Sequence, residues 1–424
     1  MKLQHSTGLT GTITVPGDKS VSHRAVMLGA LSDGVTHVTG FLMGEDCLST
    51  IDCFRKMGVQ IEVGADHDVT VHGVGLHGLQ KPSARLYTGN SGTTTRLISG
   101  ILAGQPFATT LTGDASIEKR PMGRIIRPLR EMGADITGVD DKFCPLSIGP
   151  GHLHGIAYTL PVASAQLKSA ILLAGLYADG PTTVIEPAPS RDHTERMLRA
   201  LGCRVDTDGC RITVYPPEKL TARDVAVPAD ISSAAFFLVA GAIVPGSCVT
   251  IQGVGVNPTR DGVLEVLRNM GADITLSNLR DDGEPICDIT VRASALHGTE
   301  IGGALIPRLI DELPVLAVAA ACAQGETVIR DAAELKVKES NRIAAMVTEL
   351  TRAGADVTET DDGMVIRGGR PLHGAAFQTY HDHRIAMSMA VCALVCQGES
   401  EIADDGVVAI SYPDFFDALR RLGG

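Results

Sequence analysis

The chain has no tryptophan, and its 9 Phe and 6 Tyr leave only 4% of 424 residues aromatic. Positive charge is also scarce: 37 Lys and Arg stand against 49 Asp and Glu, a net charge of −12 at pH 7. Nucleic-acid binders usually carry a basic stripe and aromatic rings for stacking. Neither is present, which argues against a nucleic-acid partner. An acidic surface also repels small anions, so an anion site must be built from a local cluster of cations. Long apolar runs are missing too. "AAFFLVAGAIV" from Ala234 stops well short of the roughly 20 residues a membrane span needs. The start, "MKLQHSTGLT", does not read as a signal or transit peptide, so a cytoplasmic protein is expected.

Cysteine is present in ten copies, but none forms a CxxC pair. These are expected to be reduced thiols, most of them buried. "HDH" at His381 to His383 and "HLH" at His152 to His154 are joined by no zinc-like spacing, so neither a metal nor another cofactor is expected. Hydrophobic residues make up 44% and charged residues 20%, a globular balance. A chain of 424 residues is long enough for two domains of about 200 each.

What the chain does contain is a repeated phrase. "LREMGADITG" begins at Leu129, "LRNMGADITL" at Leu267 and "LTRAGADVTE" at Leu350. Looser copies are "FRKMGVQIEV" from Phe54 and "LRALGCRVDT" from Leu198, and the chain ends on "LRRLGG". The spacing of about 70 residues exceeds that of common solenoid units. Each copy predicts an amphipathic helix closed by a left-handed glycine, then an alternating strand. The glycines are Gly58, Gly133, Gly202, Gly271, Gly354 and Gly423. A second strand and an "LHG" turn follow, at Leu76, Leu153, Leu296 and Leu372, and then an apolar helix. Such units cannot bury their faces alone and must pack together.

A larger duplication pairs "VPGD" at Val15 to Asp18 with "VPAD" at Val227 to Asp230. Each introduces a helix. The expectation is that both are strands where the chain crosses between domains. One domain then spans 17–228, and the other is discontinuous, 1–16 plus 229–424, with crossovers near 15–18 and 227–230.

"VPGDKSVSHRAVMLGAL" approaches a nucleotide phosphate loop but fails it. Lys19 follows Asp18 and not a glycine, and Gly11 lies six residues before Gly17 instead of five. A helix starting near Lys19 still offers free N–H groups and the positive end of its dipole. Ser20 and Arg24, spaced i and i+4, share a face. The pattern recurs. "TGNSGTTTRLISGILAG" sets Asn90, Gly92, Thr93 and Arg96 at an apolar helix start, where Gly92 lets a ligand approach the backbone. Further polar starts are "SAQLKSAILLAGL" (Ser164, Gln166, Lys168), "SRDHTERML" (Arg191), "DELPVLAVAAACA" (Asp311, Glu312), "KESNRIAAM" (Lys338, Glu339, Arg342) and "HDHRIAMSMAVCALV" (His383, Arg384). Charges at buried helix starts are costly unless they face a polar cleft. Together they point to a small substrate with several phosphates or carboxylates. Glu339 among cations is a candidate acid or base, and Asp311 is either a second one or a plain N-cap.

Taken in order, "PGDKSVSHRAVMLGAL", "GNSGTTTRLISG", "RPMGRIIRPLREMGA", "SAQLKSAILLAG", "DELPVLAVAAA", "VKESNRIAAM" and "DHRIAMSMAV" resemble the EPSP synthase (3-phosphoshikimate 1-carboxyvinyltransferase) family of enolpyruvyl transferases, over the whole chain. The resemblance implies an α/β fold of two inside-out barrel-like domains, each of three βαβαββ units, with the site in the cleft between them. It implies a monomer that joins shikimate 3-phosphate to phosphoenolpyruvate and releases phosphate, with glyphosate as an inhibitor. By motif, Lys19, Ser20, Arg24, Ser164, Ala165, Gln166, Arg191, Asp311 and Lys338 would hold shikimate 3-phosphate. Lys19, Asn90, Gly92, Arg120, Gln166, Arg342 and Arg384 would surround phosphoenolpyruvate. Asp311 would be the base toward the 5-hydroxyl, and Glu339 the proton donor to C3, with Lys19 assisting. Two positions depart from the family: Ile410 stands where some members have a lysine, and Leu97 where many have proline.

Two other readings are weighed against this one. The sister enzyme acting on UDP-N-acetylglucosamine commonly has a reactive cysteine where this chain has Ala115, and an Asn where it has Ser20. A repeat-built scaffold without chemistry has no need of Lys19, Asp311, Glu339 and several arginines at helix starts.

Overall fold

Alternating segments become short strands, and apolar segments of ten residues or more become helices, in an α/β fold with six mixed sheets. The computed structural model describes residues 1–64, 66–281 and 283–423; Ala65, Asp282 and Gly424 lie outside the described residues. The six sheets share one plan. A parallel pair stands at one edge, and antiparallel pairing completes the sheet. In one of them Leu86–Tyr87 runs parallel to Thr109–Thr112, which pairs antiparallel with Phe143–Gly149 and so with Asp135–Val139. Helices Gly92–Ala103 and Gly123–Glu131 lie between these strands in the chain.

Helices come in two kinds. Lys19–Ala30, Gly92–Ala103, Ala165–Gly175, Ile231–Ile243, Leu313–Cys322 and His383–Ala393 are buried on nearly every side. Their sequences are largely apolar all round beyond the first two turns, as a fully buried helix requires. Glu45–Lys56, Gly123–Glu131, His193–Ala200, Gly262–Asn269 and Arg342–Arg352 keep one exposed polar face. Gly92–Ala103 packs closely on Ala165–Gly175. Gly100 makes this possible, because a Cβ there would lie 2.1 Å from the Ala170 carbonyl oxygen.

The chain divides into two compact units, Met1–Pro16 with Pro228–Gly424, and Gly17–Val227. Each has its own core, around Phe236, Phe237 and Leu316 in the first and Phe41, Phe54 and Ile101 in the second. The amino-terminal segment is stitched into its unit by two strands. Lys2–Leu3 pairs antiparallel with Ser400 and Glu401, and Thr10–Ile13 runs parallel to Cys248–Ile251. In the other unit the late strand Val225–Ala226 returns to pair with Val38 and Thr39.

Two expectations change. Neither "VPGD" nor "VPAD" is a strand: the nearby strands end at Ile13 and Ala226. Proline has no N–H for a ladder, and the aspartate is taken for capping. Asp18 accepts from the Val21 N–H at 2.8 Å, and Asp230 from the Ser232 N–H at 2.8 Å. Among the turn glycines, Gly58, Gly133, Gly202, Gly271 and Gly354 have φ between +87° and +98°. Gly423 instead is the last residue of the helix Phe415–Gly423.

Candidate active site

Three helix starts of the Gly17–Val227 unit carry the first polar clusters. Lys19 is the first residue of its helix, and its ammonium pairs with Asp46, in the first turn of Glu45–Lys56. Arg24 lies one turn along and is 3% exposed. It donates to the Ser20 carbonyl at 2.9 Å, to Thr194 Oγ1 at 2.6 Å and to Ser169 Oγ at 2.8 Å. Hydroxyls from two other helices therefore aim this guanidinium.

The second start is capped by Ser91, which accepts from the Thr94 N–H at 3.1 Å. Beside it the Asn90 amide oxygen accepts from Arg120, which also donates to Ser116 Oγ at 3.2 Å. Gln166 accepts from Arg96 and donates to Thr93 Oγ1 at 3.0 Å, joining this start to the third. A Cβ on Gly92 would lie 3.0 Å from Arg96 Nη1 and 3.4 Å from Arg120 Nη1. Two guanidiniums thus crowd a helix N-terminus, an arrangement suited to an anion. At the third start Ser164 caps the helix through the Leu167 N–H at 3.4 Å, and Ala165 is its first helical residue. Arg191 is half-buried and lies one residue ahead of Asp192, the N-cap residue of His193–Ala200.

Asp311, Lys338, Glu339, Arg342 and Arg384 come together within the other unit. Arg342 is 1% exposed and sits among three carboxylates. It is 2.6 Å from Glu339 Oε2, 2.8 Å from Asp382 Oδ2 and 3.3 Å from Asp311 Oδ1. Lys338 Nζ donates to the same Asp311 oxygen at 3.2 Å, and Arg384 Nη1 to the Asp311 backbone carbonyl at 3.1 Å. Burial alone would lower the Arg342 pKa, but Asp382 and Glu339 outweigh it and raise the value above its ordinary range. Burial likewise pushes the Asp382 carboxyl up, and Arg342 overcomes that and holds it below the usual carboxylate range.

Some placements differ from the sequence expectation. Asp311 neither starts nor caps the helix Leu313–Cys322: it lies in the turn before it, and Glu312 takes the cap position. Proline at the second helical position lets that helix begin only after the turn. Lys338 and Glu339 precede the helix Arg342–Arg352, whose cap is Asn341. Lys168, grouped above with the polar helix starts, is 1% exposed and lies inside the unit.

Asp46 and Asp382 are absent from the sequence-derived set, and Arg96 was noted there without a ligand. Asp382 had a signal, an Asp directly before a buried apolar helix; it accepts from the Arg384 N–H at 2.9 Å and from Ser340 Oγ at 3.0 Å. Arg96 follows Gly92 by four residues and so shares its face. Asp46 had no distinguishing signal, since acids are ordinary in a first helical turn. Among the described residues no group of three or more His, Cys, Asp or Glu could hold a metal ion, and no helix is long and apolar enough to cross a membrane.

Comparison with known proteins gives a match over nearly the whole chain. Residues 3–419 match the family described as EPSP synthase (3-phosphoshikimate 1-carboxyvinyltransferase). The chain is 58% identical over 420 residues to the 3-phosphoshikimate 1-carboxyvinyltransferase of Geobacillus kaustophilus, covering 98% of each. It is 54% identical over 416 residues to the protein of the same name from Desulforamulus reducens, covering 98% of this chain and 97% of that one. A solved EPSP synthase from Acinetobacter baumannii superposes with a TM-score of 0.89 at 51% identity, covering 99% of this chain and 97% of the other.

Proposed function

We propose that this chain, which belongs to the EPSP synthase family, transfers the enolpyruvyl group of phosphoenolpyruvate to the 5-hydroxyl of shikimate 3-phosphate and releases phosphate. The observation that carries the reading is Asp311. Its carboxylate is held between Lys338 at 3.2 Å and Arg342 at 3.3 Å, with Arg384 on its own carbonyl. A base embedded in anion-binding cations suits a hydroxyl attacking an anionic partner.

In this reading Asp311 takes the proton of the 5-hydroxyl as its oxygen bonds to C2 of phosphoenolpyruvate. Glu339 protonates C3, giving a tetrahedral ketal. Loss of a C3 proton and cleavage of the C2–O bond then restore the double bond and expel phosphate. Ser20, Arg24, Ser164, Ala165, Gln166, Arg191 and Lys338 hold shikimate 3-phosphate. Asn90, Gly92, Arg120, Gln166, Arg342 and Arg384 surround phosphoenolpyruvate. Lys19 serves both substrates and assists proton transfer. We take the domains as 17–228 and 1–16 plus 229–424, each an inside-out α/β barrel of three βαβαββ units. The enzyme acts as a monomer, and Gly92, having no side chain, leaves room for glyphosate.

The test is phosphate release by the purified protein. Release should require both shikimate 3-phosphate and phosphoenolpyruvate and fall by about a thousandfold in Lys19→Met, the scale of a lost charge-stabilising donor. Release with UDP-N-acetylglucosamine in place of the shikimate compound overturns the reading. No release with either acceptor overturns it as well.

A further inference from the structure

Behind the shikimate-side residues lies a buried ion cluster that the proposed chemistry does not use. Lys168 Nζ is 2.9 Å from Glu186 Oε2 and 2.7 Å from Glu195 Oε1, and it donates to the Ser190 carbonyl at 3.2 Å. Glu186 also accepts from the Ser190 hydroxyl and, at 3.4 Å, from the Ser190 N–H. Lys168, Glu186 and Glu195 are each 4% exposed or less. Taking an ammonium and two carboxylates out of water is costly, and apolar residues of similar volume often serve stability as well or better. Stability alone therefore does not account for the cluster.

Its position does. Lys168 lies on the helix whose first turn carries Ala165 and Gln166, with Ser164 as cap. Ser190 directly precedes Arg191, and Glu195 directly follows Thr194. Ser169, next to Lys168, and Thr194 bond each other at 2.7 Å and both accept from Arg24. Two adjacent cross-links, one ionic and one of hydroxyls, thus tie the same pair of helices and aim Arg24 between them. The three segments joined by Lys168 carry or orient Ser164, Ala165, Gln166, Arg191 and Arg24. Of the residues proposed for phosphoenolpyruvate, Asn90, Gly92 and Arg120 lie on other segments, and Gln166, shared by both substrates, lies on the clamped helix.

We infer that Lys168, with Glu186 and Glu195, is a positioning clamp that sets affinity for shikimate 3-phosphate without touching either substrate. The inference rests on the proposed function. Burial lowers the Lys168 pKa, but Glu195 and Glu186 more than reverse this and raise it above its ordinary value, so the Lys168 ammonium stays charged at neutral pH.

The experiment measures both KM values by phosphate release, with thermal unfolding alongside, for wild type, Lys168→Met, Lys168→Arg and the near-isosteric Glu195→Gln. The expected result for Lys168→Met is a rise of about tenfold in the KM for shikimate 3-phosphate, the scale of one lost orienting contact. The KM for phosphoenolpyruvate stays within about twofold at saturating acceptor. Lys168→Arg recovers most of the loss, and Glu195→Gln shows the same selectivity at smaller size. If Lys168→Met does not fold, Glu195→Gln decides. An equal rise in both KM values, an unchanged KM for shikimate 3-phosphate, or failure of both variants to fold overturns the clamp. Wild type inactive with both substrates is a different outcome, the failure of the proposed function.

Discussion

Arg342 and His23 are both fully buried, and opposite surroundings decide their charge. Arg342 keeps its proton because Asp382, Glu339 and Asp311 surround it. His23 lies between Lys19 and Arg24 in the chain, and burial first, then those two cations, drive its pKa well below 6.5; Asp18 only partly opposes them. Its Nδ1 is 2.7 Å from Thr50 Oγ1 and its Nε2 has no hydrogen-bond partner. The unfolded chain protonates His23 below about pH 6.5, while the folded chain does not. The unfolded state then binds more protons, so stability is complete above about pH 6.5 and falls below it by at most about 1.4 kcal/mol per pH unit. Urea unfolding at pH 6.5 and 5.5 should show wild type losing up to about 1 kcal/mol more than His23→Asn over that interval. Equal losses in the two proteins would refute it. The same scale explains which site residues were readable. Arg24, Gln166 and Arg342 stand out because cations and amides at apolar helix starts are anomalous. Asp46 does not, because an acid in a first helical turn is ordinary, and only its partner Lys19 across the fold makes it special.

The repeated "LRxMG" phrase is one helix–turn–strand corner. In three copies the arginine reaches over the turn to the strand that follows. Arg55 Nε donates to the Ile61 carbonyl at 3.0 Å, Arg130 Nε to Ile136 at 2.7 Å and Arg199 Nε to Val205 at 2.8 Å. The corner was legible because all its parts lie within ten residues. Strand Lys2–Leu3 was not: its partners are Ser400 and Glu401, and nothing local marks the pairing. The turn at Asp311 was also missed, since a short helix, Ile306–Leu309, ends just ahead of it and shifts the following start. The corners allow a comparison of two glycines. Gly133 has φ +98° and a Cβ there would lie 2.3 Å from the His152 carbonyl oxygen. Gly202 has φ +89° with nothing within 4 Å of the built Cβ. Gly202→Ala should cost about 1 kcal/mol of backbone strain alone. Gly133→Ala should cost roughly 2–4 kcal/mol, because the carbonyl must move as well. Denaturant midpoints check this, and equal costs would mean that the corner yields freely.

The two units differ in how the chain builds them. Gly17–Val227 is one continuous stretch, and its three sheets draw every strand from within it, Val225–Ala226 included. The other unit needs residues from both ends of the chain. Thr10–Ile13 supplies an edge to the Cys248–Gly255 sheet, and Lys2–Leu3 one to the Ser400–Ile402 sheet. Leu9, Ile13 and Val15 from the same segment enter that unit's core. Each such side chain contributes roughly 1.5–3 kcal/mol by burial, before counting the ladder bonds. A domain is stable by only about 5–15 kcal/mol, so losing this segment removes a large share. Residues 17–227 expressed alone should therefore show a cooperative thermal transition. Residues 228–424 alone should not, and fusing residues 1–16 to their amino end through a flexible linker should restore one. Circular dichroism melts of the three polypeptides decide the folding claim. Residues 228–424 melting as cooperatively without the segment as with it would show that the two strands decorate a core already complete.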